Sequence, residues 1–260
     1  EKMKILFPLA AMVLTATAVP ANAALNILAT VPEWAVLAQE IGGDKVKVSS
    51  ATTGMQDPHR IEARPSLVAR ARNADLLIST GAELEVGWLP VVLRESGNPK
   101  IQPGQPGNFE AAQYVTMLEV PTRLDRADGD VHAAGNPHIQ TDPRNILRVG
   151  QALSKRLGEI DTANAAAYQA NLARFAERWT VAIARWEKTA APLRGAQVVV
   201  QHASFTYLLN WLGMKQIATL EPKPGVEPSA AYLIDVVAKT SGRGVKMVIR
   251  AAYNSPRPAE

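Results

Sequence analysis

The chain has 260 residues, 47% hydrophobic and 20% charged, with a formal net charge of +4. That length and composition fit a globular chain with a sizeable core. The weak charge, the lack of a Lys/Arg block and the 5% aromatic content exclude an obvious nucleic-acid surface. There is no cysteine, so disulfides and thiolate metal sites are excluded. Any transition-metal site must be built from His, Asp and Glu, and the chain has only four histidines.

Lys2 and Lys4 precede an apolar run from Ile5 to Val19, then Pro20 and "ANA" at 21–23. A positive start, a short apolar stretch and a small-x-small end predict a secretory signal peptide over 1–23, and so a periplasmic protein. The run is too short to be a convincing membrane span. No cysteine follows the predicted cleavage point, which excludes a lipid anchor there.

The chain then opens with "LNILATVP", a short buried-strand pattern. "EWAVLAQEIGG" predicts a helix, with Trp34, Leu37, Ala38 and Ile41 on one face and Gly42-Gly43 ending it. "KVKVSSA" alternates as a strand, "DPHRIEARPS" is turn-rich, "LVARARNA" predicts a short helix and "DLLIST" a buried strand. This alternation predicts a parallel α/β sheet. Residues 98–145 read as Pro- and Gly-bearing connecting material, with strand-like pieces such as "YVTMLEV". Asp142-Pro143 has the form of a helix start, Asp as N-cap and Pro at the first helical position.

From about Asp161 to Ala190, Tyr168, Leu172, Phe175, Trp179, Ala182 and Trp186 fall at steps of four and three. That is one stripe of a helix roughly 45 Å long. It suits a core helix or a strut between two lobes. The α/β pattern then restarts: "AQVVVQH", "SFTYLLNWLG", "MKQIATLE", "SAAYLIDVVAKTSG" and "VKMVIRAAY" read as strand, helix, strand, helix, strand. The predicted division is an N-terminal α/β lobe over 24–160 with a connector loop at 125–138, a linking helix over 161–190, and a C-terminal α/β lobe over 191–260.

The four histidines are His59, His132, His138 and His202. His59 and His202 lie just past predicted strand ends, where open α/β sheets bind ligands. A lone histidine there is more often a hydrogen-bonded loop residue than a ligand. Four histidines confined to strand ends and one loop, with none on a helix face, favour a shared metal site. Three imidazoles suit Zn2+ better than Mn2+ or Mg2+, which prefer oxygen. No HExxH pattern is present.

"DPHRIEARPS" with "ARNADLLISTGAELEVGWLP", then "NPHIQTDP", then "VVVQHASFTYLLNWLG" and "EPSAAYL", resemble in order the motifs of the cluster A-I substrate-binding proteins of zinc and manganese ABC transporters. The resemblance covers 25–260. It implies two α/β lobes with parallel sheets joined by one long rigid helix, with the metal in the inter-lobe cleft. It implies His59, His138 and His202 as ligands and His132 as an auxiliary loop ligand. Histidine at the third position goes with zinc in the family, and Glu with manganese.

A non-enzymatic, monomeric zinc carrier follows from the resemblance. Its partners would be an inner-membrane ABC permease and a periplasmic zinc metallochaperone. The loop holding Asp125, Asp128, Asp130 and His132 would help to capture or hand over zinc. The resemblance also implies a fourth, acidic ligand beyond residue 260, and hence a truncated C-terminal lobe; Glu221 is a poor substitute, and Glu227 and Asp235 match no motif. Asp142 reads as structural, and Asp57 as a group that orients His59. Manganese binding, a three-histidine zinc hydrolase and an adhesin remain as alternatives.

Overall fold

The computed structural model describes residues 23–122 and 132–260. Nearly all of the predicted signal peptide, and Asp125, Asp128 and Asp130 of the acidic loop, lie outside the described residues.

The first lobe is built from β1 (Leu25–Ala29), α1 (Pro32–Gly42), β2 (Val46–Ser50), α2 (Pro65–Arg72), β3 (Leu76–Ser79), α3 (Leu89–Ser96) and β4 (Asn108–Glu110). Its four strands run parallel in the order β2-β1-β3-β4. Parallel neighbours need crossover helices, which cover both faces and make the strands apolar on both sides. The two-residue alternation sorts the side chains. Ile27, Leu76 and Ile78 join Trp34, Leu37 and Ile41 in one core, whereas Leu28 and Leu77 join Leu67, Trp88 and Val92 in a second.

Two long helices follow, α4 (Pro143–Ile160) and α5 (Ala165–Ala190). Asp142 caps α4 by accepting from the Arg144 amide at 2.9 Å, and Pro143 takes the first helical position. Asp161 and one 3-10 turn, Thr162–Asn164, separate the helices, so the long helix starts at Ala165, a few residues after the expected 161. Asp161 is instead engaged by the Tyr168 hydroxyl, which donates to its Oδ2 at 2.7 Å. The first half of α5 is packed on the first lobe through buried Tyr168 and Phe175. Farther along, Trp179 stacks on Phe175, meets Trp186 edge-on and donates to the Pro143 carbonyl at 2.8 Å.

The second lobe contains β5 (Gln197–Val200), α6 (Thr206–Leu212), β6 (Lys215–Thr219), α7 (Ala230–Thr240) and β7 (Val245–Ile249). Its strands are parallel in the order β6-β5-β7. Val198 and Val200 pack on one face against Leu209 and Met214, while Val199 packs on the other against Leu220 and Val236. The fold is therefore two parallel α/β lobes with a long helix between them. Among the described residues no helix is long and apolar enough to cross a membrane.

One further local expectation fails. "YVTMLEV" forms no strand: Ala111–Tyr114 is a 3-10 turn, and the paired strand is the short Asn108–Glu110 before it. The alternation in 114–120 is met by partial burial against the first core and not by ladder hydrogen bonds.

Candidate metal centre

His59 and His202 are carried past the ends of β2 and β5, and His138 lies in the connector just before α4; all three face the space between the lobes. After β2, the Thr52 hydroxyl donates to the Thr30 carbonyl at 2.8 Å and turns the chain. Buried Trp88 pins the next bend by donating from Nε1 to the Pro58 carbonyl at 2.8 Å. Asp57 then folds back on His59. Its Oδ1 accepts from the His59 amide at 3.0 Å and lies 2.8 Å from His59 Nδ1. A carboxylate on Nδ1 favours the tautomer with the proton there, leaving Nε2 as the donor atom.

His138 is only 3% exposed. Asn136 holds it: Oδ1 accepts from the His138 amide at 3.0 Å, while Nδ2 donates to the Ala203 carbonyl at 2.7 Å and to Glu119 Oε2 at 2.8 Å. One buried carboxamide thus ties the His138 turn to the residue after His202. Tyr207 adds a second tie, its hydroxyl donating to the Asn136 carbonyl at 2.7 Å.

His202 follows β5. Glu221 follows the neighbouring strand β6, and its Oε2 lies 2.7 Å from His202 Nδ1. Asp57 and Glu221 therefore flank two of the imidazoles in the same way.

The structure brings His59, His138 and His202 together: one nitrogen from each lies within 4.8 Å of the others. Their ring centroids are 5.1–5.4 Å apart, at steep mutual angles. Nε2 of His59 and Nε2 of His138 are buried and accept or donate no hydrogen bond within the protein. A buried polar atom left without a partner is costly, and two of them converging on one point fit a site shaped for a cation. His132 stacks on His59 at 5.7 Å and 22° but falls outside the trio. Among the described residues, no carboxylate belongs to this group.

At His138 the electrostatics favour a neutral imidazole. Burial, reinforced by the neighbouring His59, His202 and His132, pushes the His138 imidazole well below its ordinary range. For Asp57, burial pulls upward, but hydrogen bonds from His59 and the nearby imidazoles outweigh it and hold the carboxyl low. A cavity of about 290 Å³ opens beside His138, lined among others by Thr52, Gln56, Ser204 and Tyr253. Burial, aided by the negative charge of Asp57, pushes the Tyr253 phenol up to about 12, so it stands there as a neutral hydroxyl.

Sequence reasoning missed Asn136, Glu221 and Tyr253 as parts of this centre. By sequence Glu221 is only a poor substitute for a fourth ligand; the structure sets its carboxylate against the back of His202 instead. Its place directly after a predicted strand, beside the strand that ends at His202, was the signal available. Asn136 stood inside the "NPH" motif with no indication of its reach to Ala203. Asp235 pairs with Lys239 one turn along α7.

The chain matches the family described as zinc-uptake complex component A, periplasmic, over residues 27–260. It is 23% identical to the zinc-binding lipoprotein AdcA of Streptococcus pneumoniae, over 83% of this chain and 43% of that protein. It is also 23% identical to the high-affinity zinc uptake system protein ZnuA of Paracoccus denitrificans, over 95% of this chain and 82% of the relative. The chain thus spans less than half the length of the AdcA lipoprotein. A crystal structure of ZnuA superposes with a TM-score of 0.75 at 26% identity, covering 91% of this chain and 85% of the other. With the family match running through nearly the whole described chain, this protein belongs to the periplasmic zinc-uptake component A family, among the cluster A-I metal solute-binding proteins.

Proposed function

We propose that this chain is the periplasmic binding component of an ABC importer, that its cargo is Zn2+, and that it hands the ion to an inner-membrane permease without chemical turnover. His59, His138 and His202 are the donors. The observation that carries the reading is the convergence of three imidazoles within 4.8 Å with two buried, unpartnered Nε2 atoms. An all-nitrogen donor set favours zinc over manganese, whose preference is for oxygen. Manganese stays the second reading, because the relative scaA of Streptococcus gordonii, 27% identical over 60% of this chain, is named as a manganese protein.

The mechanism follows from how the donors are held. Asp57 and Glu221 engage the outer nitrogens of His59 and His202, which leaves the inner Nε2 atoms to face the ion. Asn136 spans the two lobes and fixes His138 against the His202 loop before cargo arrives. The 24–160 lobe, the 161–190 linking helix and the 191–260 lobe act as rigid parts, and closure is confined to loops. A monomer suffices for this capture step. His132, stacked on His59, serves as an auxiliary ligand during entry and exit, and release passes to the permease or to a metallochaperone.

Calorimetric titration of the metal-stripped chain with Zn2+ and Mn2+ tests the reading. The expected order is Zn2+ well above Mn2+, with binding weakened by His59→Ala, His138→Ala or His202→Ala. Tighter Mn2+ binding, or a greater loss in His132→Ala than in His138→Ala, would overturn the assignment.

A further inference from the structure

His59 and His202 stand on loops of different lobes, and a chain of hydrogen bonds joins those loops behind the imidazoles. Arg60 Nη2 donates to the Gly225 carbonyl at 3.2 Å. The Gly225 amide donates to Glu221 Oε2 at 2.8 Å, and that same oxygen lies 2.7 Å from His202 Nδ1. Gly225 has φ of 75°, in the left-handed region where a Cβ would be strained, and this conformation lets one peptide residue serve both neighbours. The end of the chain is enclosed, with the His202 and Glu221 side chains only 11% and 13% exposed.

We propose that Arg60 is a positioning residue for the ligand of the opposite lobe: through Gly225 it holds the 221–225 loop so that Glu221 keeps the His202 proton on Nδ1 and the Nε2 lone pair facing the cleft. This rests on the reading of the three histidines as metal donors. Neutral imidazole carries one N–H and one lone pair, and the acceptor beside one nitrogen decides which is which. Glu221 makes that choice. Its aim depends on the loop that Gly225 closes, because the backbone N–H of Gly225 fixes the accepting oxygen. Arg60, the residue next to His59, anchors the far side of Gly225. Any shift of the His59 loop on binding cargo is therefore transmitted to His202 through four groups in sequence. The arrangement gives the two lobes a shared geometry at the donor atoms that neither could set alone.

The test uses the full chain, metal-stripped and carrying 15N-labelled histidine. Long-range 1H–15N correlation at one alkaline pH reads the His202 tautomer, and stopped-flow competition reads zinc release. The expected wild-type pattern is Nδ1 protonated. Glu221→Ala moves the proton towards Nε2, while Glu221→Gln, whose amide oxygen still accepts, keeps it on Nδ1. Arg60→Ala gives mixed tautomers and about fivefold faster zinc release, the size expected for one lost hydrogen bond; Arg60→Lys restores both. Arg60 is exposed, so these variants should fold. Wild-type nitrogen shifts and release rate in Arg60→Ala, or no restoration in Arg60→Lys, would sink the proposal. A wild-type chain that binds no zinc but shows the Arg60-dependent tautomer would defeat the proposed cargo and support the relay.

Discussion

At the scale of the residue, the centre depends on polar side chains whose partners are far away in sequence. Asn136 is the sharpest case, because its amide serves His138 on one side and Ala203, Thr206 and Glu119 on the other. Asn136→Ala strands a buried backbone amide and a carbonyl and should cost about 1–3 kcal/mol. A lowered urea midpoint with unchanged slope checks it; an unchanged midpoint refutes it. His138 gives a pH prediction. Its folded-state imidazole is pushed below the unfolded value of ~6.5, mainly by burial. The unfolded chain then takes up a proton first as pH falls. Stability is full above about 6.5 and lost as the pH drops towards the folded value. The metal-free protein should unfold more easily at mildly acidic pH, and His138→Gln should flatten that slope in denaturant titrations. The three clustered histidines could be picked out because the chain holds so few histidines, at strand ends or in one loop. Asn136 and Glu221 could not, because an amide or a carboxylate in a loop carries no periodic signal and its partner is set by the tertiary fold.

The elements were legible where burial imposes a period. The runs "LNILA", "DLLIS" and "QVVV" announce strands buried on both faces, and the helix stripe from Tyr168 to Trp186 announces α5. Helix α3 and the three-residue β4 escaped, the first because a Trp-Leu-Pro start and eight residues leave little pattern, the second because so short an edge strand is fixed by its neighbour β3. The start of α4 was written in Asp142-Pro143. Asp142→Ala removes the cap and the Arg144 pairing, and should destabilise by about 1 kcal/mol. Thermal unfolding of the metal-free protein measures this; loss of zinc affinity without loss of stability would instead make Asp142 part of the site.

On the scale of the whole molecule, α5 passes from the core of the first lobe to an apolar groove of about 520 Å³ lined by Phe175, Trp179, Trp186 and, from the second lobe, Trp211. Trp211 is held to α5 by donating from Nε1 to Glu187 Oε1 at 2.8 Å. With both lobes fastened to one helix and to each other through Asn136, cargo should produce little rigid-body closure. Backbone shifts on zinc binding should stay within about 1 Å, as for other preorganised sites. Solution scattering with and without zinc checks this, and a marked contraction would argue for a hinge. Zinc should still raise the melting temperature, since a cargo at 100 times its dissociation constant adds about 2.7 kcal/mol to the folded state.

The three clustered histidines come from widely separated stretches of the chain, two reached through the first sheet and its connector and one through the second. No fragment containing a single lobe can assemble them. If the proposed capture holds, metal binding reports on completed folding, because a chain in which only one lobe has formed has no centre to fill. Protease resistance gained on adding zinc, timed during refolding, should appear only once the second sheet has docked.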